Sequence, residues 1–304
     1  ITDEHIFAKH KSRFKGWNTI VLKAGEQYKI QQTADVVIDQ LIALGADRKT
    51  TLIGVGGGVV TDITGYVAGI YMRGIPFGFV PTSLLAMVDA SIGGKNGIDV
   101  GLYKNMVGLI RQPKFLLFDF SFLRTLPKTE WQNGFAEIIK HACIKDAAMF
   151  TLLQQQTLSA FQKNSKLLSS LVERNVLIKT KVVVSDEFEQ GDRKLLNFGH
   201  TLGHAIENMY ELSHGQAISI GMTYAAVISQ QLKGYTGTKE LVSLLSKYGL
   251  PTFAKFDTKK AFKVLLKDKK KDNVSINYIL LTKTGKGVIQ PLLLVQLQDI
   301  LKQF

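Results

Sequence analysis

One cysteine, Cys143, in 304 residues excludes an internal disulfide framework and fits a reducing, cytoplasmic setting. No apolar run reaches the roughly eighteen residues that a membrane span needs before Gly, Asp or Lys interrupts it, so neither a span nor a membrane partner is expected. No basic-then-apolar leader follows Ile1, and residues ahead of this non-Met start are expected to exist. Acidic residues are scarce: 25 Asp and Glu stand against 38 Lys and Arg, a formal net charge of +13. That excess points to an anionic partner. A nucleic-acid binder would gather its cations with aromatic or recognition-helix patterns, whereas the one true basic run is Lys267 to Asp272. Cations collected around a small anionic substrate explain the charge as well, and no nucleic-acid partner is expected. With 45% hydrophobic and 21% charged residues, the chain can bury a core large enough for two domains.

The first third alternates strand and helix patterns. TTLIGV (Thr50 to Val55) ends in Gly56, Gly57 and Gly58, a helical pattern follows, and Pro76 to Thr82 and Lys114 to Asp119 read as further strands. This predicts a mostly parallel α/β half. After Leu126 to Trp131 the patterns are helical, through NGFAEIIKHACIK, AMFTLLQQQTLSAFQ, SKLLSSLVERNVLIKTKVVV, GHTLGHAIENMYEL and GQAISIGMTYAAVISQQL. KELVSLLSKYG is the last, stopped by Gly249 and Pro251. Asn277 to Gln290 reads as a late hairpin. The boundary is placed near Arg124, giving domains 1–124 and 125–304 with the site expected in the cleft between them.

Three segments carry chemistry. The Gly56 to Gly58 turn opens a helix whose N-terminal amides and dipole suit a pyrophosphate, and Asp62 one turn on suits a ribose hydroxyl. Val88 to Asn105 combines Asp89, a Gly-Gly loop and the cations Lys95 and Lys104, which suit phosphate or carboxylate, although a surface loop would look similar. Three of the six histidines fall between His200 and His214. His200 and His204 share a helix face at i, i+4, and Glu137 lies upstream, so two or three imidazoles plus a carboxylate form a candidate zinc site. HEXXH is absent, which argues against a metalloprotease. Lys140, Lys179 and Arg193 suggest an anionic ligand.

GGGVVTD, AGIYMRG, VPTSLLAMVDASIGGKNGID, KNMVG, TLPKTEWQNGFAEIIKHA, VVVSDEFEQGDRKLLNFGHTLGHAIE and SHGQAISIGM, in this order, resemble the 3-dehydroquinate synthase family of sugar phosphate cyclases. The likeness runs from about Thr2 to Asp268–Lys270. It implies a Rossmann-like NAD-binding half, an all-α half that holds metal and substrate, and a homodimer. The cofactors it implies are NAD and Zn2+, with Co2+ as an alternative. The implied substrate is the anionic sugar phosphate 3-deoxy-D-arabino-heptulosonate 7-phosphate. The implied reaction yields 3-dehydroquinate and phosphate, a carbon–oxygen lyase step of the shikimate pathway, through transient oxidation, elimination, reduction and aldol closure.

Carried over by position, the resemblance makes Glu137, His200 and His214 the metal ligands and turns His204 into an orienting or proton-relay residue. It places Asp89, Lys95, Lys104, Asn105, Lys140, Lys179, Arg193 and Asn197 in the substrate pocket. Arg73 would reach the phosphate from the dimer partner, and Lys269 or Lys270 would complete that site. For NAD the matches are Asp3, Glu26, Lys29, Gly56, Gly57, Gly58, Asp62, Thr82, Ser83, Lys95, Lys104, Asp119 and Thr125. The sequence departs from the family at His5, where Asn is common, at Gln216, where Glu follows His-Gly, and at Thr61 and Thr64, where small residues are common. Three alternatives are another sugar phosphate cyclase, which would share the metal and NAD but recognise a different sugar, an iron- or zinc-dependent polyol dehydrogenase, which would release NADH, and a basic nucleic-acid-binding protein.

Overall fold

The computed structural model describes residues 1–101, 103–207, 209–262 and 275–301. Two compact units are present. The first comprises Ile1–Trp131 with Ser169–Thr180, and the second Gln132–Leu168 with Lys181–Phe304.

The first unit is built on a four-stranded, fully parallel sheet. Its strands β1 (Thr2–Asp3), β2 (Val21–Leu22), β3 (Leu52–Gly56) and β4 (Phe77–Pro81) run in the order β2-β1-β3-β4. Helices α1 (Glu4–His10), α2 (Gln31–Ala43) and α3 (Gly58–Ile70) connect them. Burial explains the pattern. Ala34, Val37 and Leu41 recur at helical spacing on α2 and join Ile63, Val67, Phe77 and Phe79 in one apolar core. Thr64, the larger residue at a position where small ones are common, is fully buried. It packs where β3 carries Gly54, whose absent Cβ would lie 2.8 Å from the threonine hydroxyl.

Two expectations are corrected in this unit. The segment Lys114 to Asp119 is not a regular strand: it follows β4 through backbone bonds at Phe77 and Phe79, but it forms only a single bridge, Phe79 to Leu116. Pro113 removes a donor at its start, and Phe115 lies over Gly78 of β4. The surface loop weighed for Val88 to Asn105 gives way to regular structure over most of its described residues. Asp89 sits in a short π-helical turn, Ala86–Ala90, and an antiparallel hairpin follows, β5 (Lys95–Val100) with β6 (Tyr103–Ile110).

Helices dominate the second unit. They are α4 (Lys128–Lys145), α5 (Ala147–Gln155), α6 (Leu158–Lys163), α7 (Ser165–Ser185), α8 (His200–Glu207), α9 (His214–Lys233) and α10 (Thr238–Lys247). Part of α7, Ser169–Thr180, belongs to the first unit. The stretch expected as one helix over Ala148 to Gln162 breaks at Gln156, because the Thr157 hydroxyl accepts from Ala160 N–H and caps a new helix. An antiparallel hairpin, β7 (Ser275–Lys283) and β8 (Lys286–Leu293), precedes α11 (Leu294–Leu301). Phe135 anchors this core, stacked on Tyr248 at 4.5 Å and tilted against Phe161 at 5.4 Å. Among the described residues, no helix is long and apolar enough to cross a membrane.

Cys143 lies on α4, fully buried, and burial raises its thiol well above the ordinary range. The native protein is therefore expected to leave a thiol reagent unreacted at mildly alkaline pH and to titrate one thiol in denaturant. Rapid native labelling would contradict the placement.

Candidate metal centre and nucleotide cradle

The metal centre is built within the second unit. Glu137, fully buried on α4, His200 at the start of α8 and His214 at the start of α9 bring one ligand atom each within 4.8 Å of the others. Glu137 Oε1 is 3.2 Å from His214 Nε2 and 3.5 Å from His200 Nε2. Two ligands about 2.0–2.1 Å from a tetrahedral zinc lie about 3.3 Å apart, so these spacings match the edge of such a site. A carboxylate with two imidazoles is also the donor set of a three-ligand catalytic zinc with one position left open. The residues present fit the metal.

Their surroundings prepare them for it. His200 Nδ1 lies 3.2 Å from the Phe198 carbonyl, which only accepts, so Nδ1 carries the proton and Nε2 keeps its lone pair toward Glu137. Burial and then the Lys140 charge hold His200 well below its usual pKa, as a neutral ligand must be. Lys140, 1% exposed, is in ion-pair contact with Glu137 Oε2 one helical turn away. Burial opposes a charge on His214, but Glu137 and Glu207 outweigh it and push the imidazole up to about 9, so without metal a proton occupies this corner.

His204 does not belong to that triad. It groups with Glu207 and His214 instead, and its ring lies 5.0 Å from that of His200. The i, i+4 spacing puts both histidines on one face, but it cannot say which nitrogen meets the carboxylate of another helix. Glu207, unmarked in the sequence reading, lies 3.8 Å from His214 Nδ1. The Glu of GHTLGHAIE was its only signal.

Arg193 and Asn197 sit in a turn of the same unit organised by Asp186. The Asp186 carboxylate accepts from the N–H groups of Gln190, Gly191 and Arg193. The Arg193 guanidinium donates to the Glu187 carbonyl, and Asn197 Nδ2 donates to Glu189 Oε1 at 2.5 Å. Glu189 adopts a left-handed φ of 58°, a strained backbone that nothing in the sequence announces.

The first unit holds the remaining described residues. α3 starts at Gly58 without a side-chain cap, so among the described residues its first amides have neither an intrahelical nor a side-chain partner and suit an anion. Ser83 stands opposite Gly57, whose absent Cβ would lie 3.5 Å from the serine hydroxyl, and Thr82 N–H donates to Gly56. This bare glycine turn fits a dinucleotide. Lys29, 4% exposed, donates to Asp62 at 2.6 Å and to Asn105 at 2.5 Å, with Glu26 3.8 Å away. Burial raises the Asp62 carboxyl to about 6 against the pull of Lys29. Lys179 is held by Asp89, at 2.7 Å from its carboxylate and 2.6 Å from its carbonyl.

Other residues expected at the nucleotide make bonds of their own. Asp3 caps α1 through the N–H groups of His5 and Ile6, Asp119 pairs with Arg13, and Thr125 bonds His10 at 3.1 Å. Lys95 and Lys104 lie on β5 and β6, both exposed, and Arg73 is exposed at φ 66°. Lys269 and Lys270 lie outside the described residues.

An absent Cβ at Gly56 would lie 2.5 Å from the branched side chain of Val60. In a helix that β-branched side chain has essentially one rotamer to offer. Gly56→Ala is thus expected to displace the turn and weaken NAD binding about tenfold or more, with metal content unchanged. A titration of NAD onto the variant that matched the parent would contradict the cradle.

Residues 19–133 match the family model described as 3-dehydroquinate synthase N-terminal, and residues 134–271 match its C-terminal counterpart. A 3-dehydroquinate synthase of Leptospira interrogans is 41% identical over 89% of this chain and 76% of its own length. One of Campylobacter curvus is 43% identical over 88% and 78%. Among solved structures, a 2-epi-5-epi-valiolone synthase from Streptomyces hygroscopicus with NAD+ and Zn2+ bound superimposes at a TM-score of 0.91. It is 26% identical and covers 99% of this chain and 89% of its own. A 2-deoxy-scyllo-inosose synthase with carbaglucose-6-phosphate, NAD+ and Co2+ gives a TM-score of 0.84 at 26% identity, with the same coverage. A glycerol dehydrogenase from Schizosaccharomyces pombe, at 15% identity and a TM-score of 0.64, shares the fold alone. Two family models that together span most of the chain, and relatives above 40% identity, place it: the chain belongs to the 3-dehydroquinate synthase family.

Proposed function

We propose that the chain converts 3-deoxy-D-arabino-heptulosonate 7-phosphate to 3-dehydroquinate and phosphate, as a lyase that uses NAD and a divalent metal. The observation that carries this reading is the Glu137–His200–His214 triad at zinc-edge spacing, joined in its family context to an uncapped glycine turn. Glu137, His200 and His214 would hold Zn2+ or Co2+, which supplies Lewis acidity toward a substrate hydroxyl. The Gly56 to Gly58 turn, with Asp62 and Lys29, would hold NAD, which supplies reversible hydride acceptance.

The chain's own groups do the rest. Buried cations suit an acidic substrate: Lys140 and Arg193 are each under 4% exposed, and Lys179 is 7% exposed, so their charges act where water screens them little. His204, beside the triad but outside it, would move a proton between substrate and solvent. The Asp186 turn presents Arg193 and Asn197 together, and Asp89 fixes Lys179. The proposed active form is a cytoplasmic homodimer in which Arg73 serves the partner's phosphate site. The strained run at Met72, Arg73 and Gly74, all at positive φ, supports a functional demand on that turn.

The test separates this substrate from those of related cyclases. Phosphate release is measured with the heptulosonate phosphate and with glucose 6-phosphate, which lacks the carboxylate. Turnover of the first alone is expected. Preference for glucose 6-phosphate would overturn the substrate assignment.

A further inference from the structure

Asn133 lies on α4 four residues before Glu137, so the two share a helix face. It is 5% exposed. Its Oδ1 accepts from the Ser213 hydroxyl at 2.8 Å and from Gly215 N–H at 3.0 Å, the residues on either side of His214. Gly215 itself is forced: a Cβ there would lie 2.6 Å from the Asn133 Cα, so only glycine lets the start of α9 approach α4 this closely. Gln216 completes the arrangement, its side-chain oxygen accepting from Ser213 N–H at 2.9 Å. A neutral Gln performs that capping without a second carboxylate beside the ligand.

We infer that Asn133, with Gly215, is the positioning element of the metal centre. It fastens the backbone on both sides of His214 to the helix that carries Glu137, and so sets the 3.2 Å separation of their ligand atoms. The inference rests on reading Glu137, His200 and His214 as the metal ligands. His214 opens its helix, where the chain would otherwise be free to fray, and its imidazole must meet a carboxylate 77 residues away in sequence. Two hydrogen bonds to one buried acceptor remove that freedom. The remaining imidazole nitrogen faces Glu207, so ring and backbone are both held.

The test is a Co2+ titration of the metal-free full chain, read by the visible d–d absorption, with circular dichroism to verify folding. Asn133→Ala is expected to weaken Co2+ binding about 10- to 100-fold, the usual cost of losing an outer contact of a metal ligand. Asn133→Asp keeps an acceptor at the same place and is expected to stay within about threefold of the parent. Gly215→Ala, which pushes the helices apart without removing a hydrogen-bonding side chain, is expected to weaken Co2+ at least about tenfold. If Asn133→Ala does not fold, the contrast of Asn133→Asp with Gly215→Ala decides. Parent-like titration and spectrum in Asn133→Ala or Gly215→Ala would overturn the inference, as would an Asn133→Asp variant as weak as Gly215→Ala. Glu137→Ala separates the two readings: retention of Co2+ there defeats the metal assignment itself, whereas its loss there with retention in Asn133→Ala defeats only the positioning role.

Discussion

Glu137→Ala, His200→Ala and His214→Ala are each expected to lose bound zinc and to lower turnover by at least about 10³-fold. Three protein ligands leave no redundancy, and a Lewis acid contributes several kcal/mol at about 1.4 kcal/mol per decade. His204→Ala is the contrasting case. It is expected to keep its metal and to slow turnover by about 10²-fold, the range of a lost proton-transfer group. Elemental analysis alongside the phosphate assay reads both quantities. Metal lost in His204→Ala and kept in His214→Ala would reverse the assignment.

The second large effect concerns Lys140. Glu137 is fully buried, and Lys140 is in contact with its second oxygen. Lys140→Met removes one positive partner of the buried Glu137 carboxylate and leaves the protonated His214 as its remaining counter-charge, a change expected to cost about 3 kcal/mol, the low end for a broken buried pair. For a unit of this size the metal-free variant is expected to melt roughly 6–12 °C below the parent. Zinc restores the missing positive charge at the same carboxylate, so saturating metal is expected to recover most of that loss. Calorimetry with and without zinc checks it. Equal destabilisation in both conditions would show that Lys140 acts only through packing.

Where a residue's partner is local, the sequence is informative. The Gly56 to Gly58 turn, the apolar spacing of α2 and the long helices of the second unit follow from periodicity and turn chemistry, because each depends on neighbours within a few positions. The strands β1 and β2 are two residues each, too short to show alternation, and exist through the sheet that receives them. Three histidines in one window point to a metal, yet helical spacing favours the pair His200 and His204, whereas the carboxylate meets His200 and His214. That choice is made by the approach of α9 to α4, which Asn133 and Gly215 permit and no period records. Glu189, turned into the left-handed region to meet Asn197, is equally silent in the sequence. The family resemblance names ligands that periodicity alone leaves open; the atoms that hold them come from the fold.

Redox chemistry is expected to occur within a cycle that ends in phosphate loss, with NAD used and restored. The direct measurement follows inorganic phosphate and NADH absorbance together, with the heptulosonate phosphate in large excess over NAD. Many phosphates released per NAD, no steady rise in NADH, cessation on adding a chelator and recovery with Zn2+ or Co2+ are expected. Accumulation of NADH in proportion to substrate consumed, as a polyol dehydrogenase would give, would contradict it.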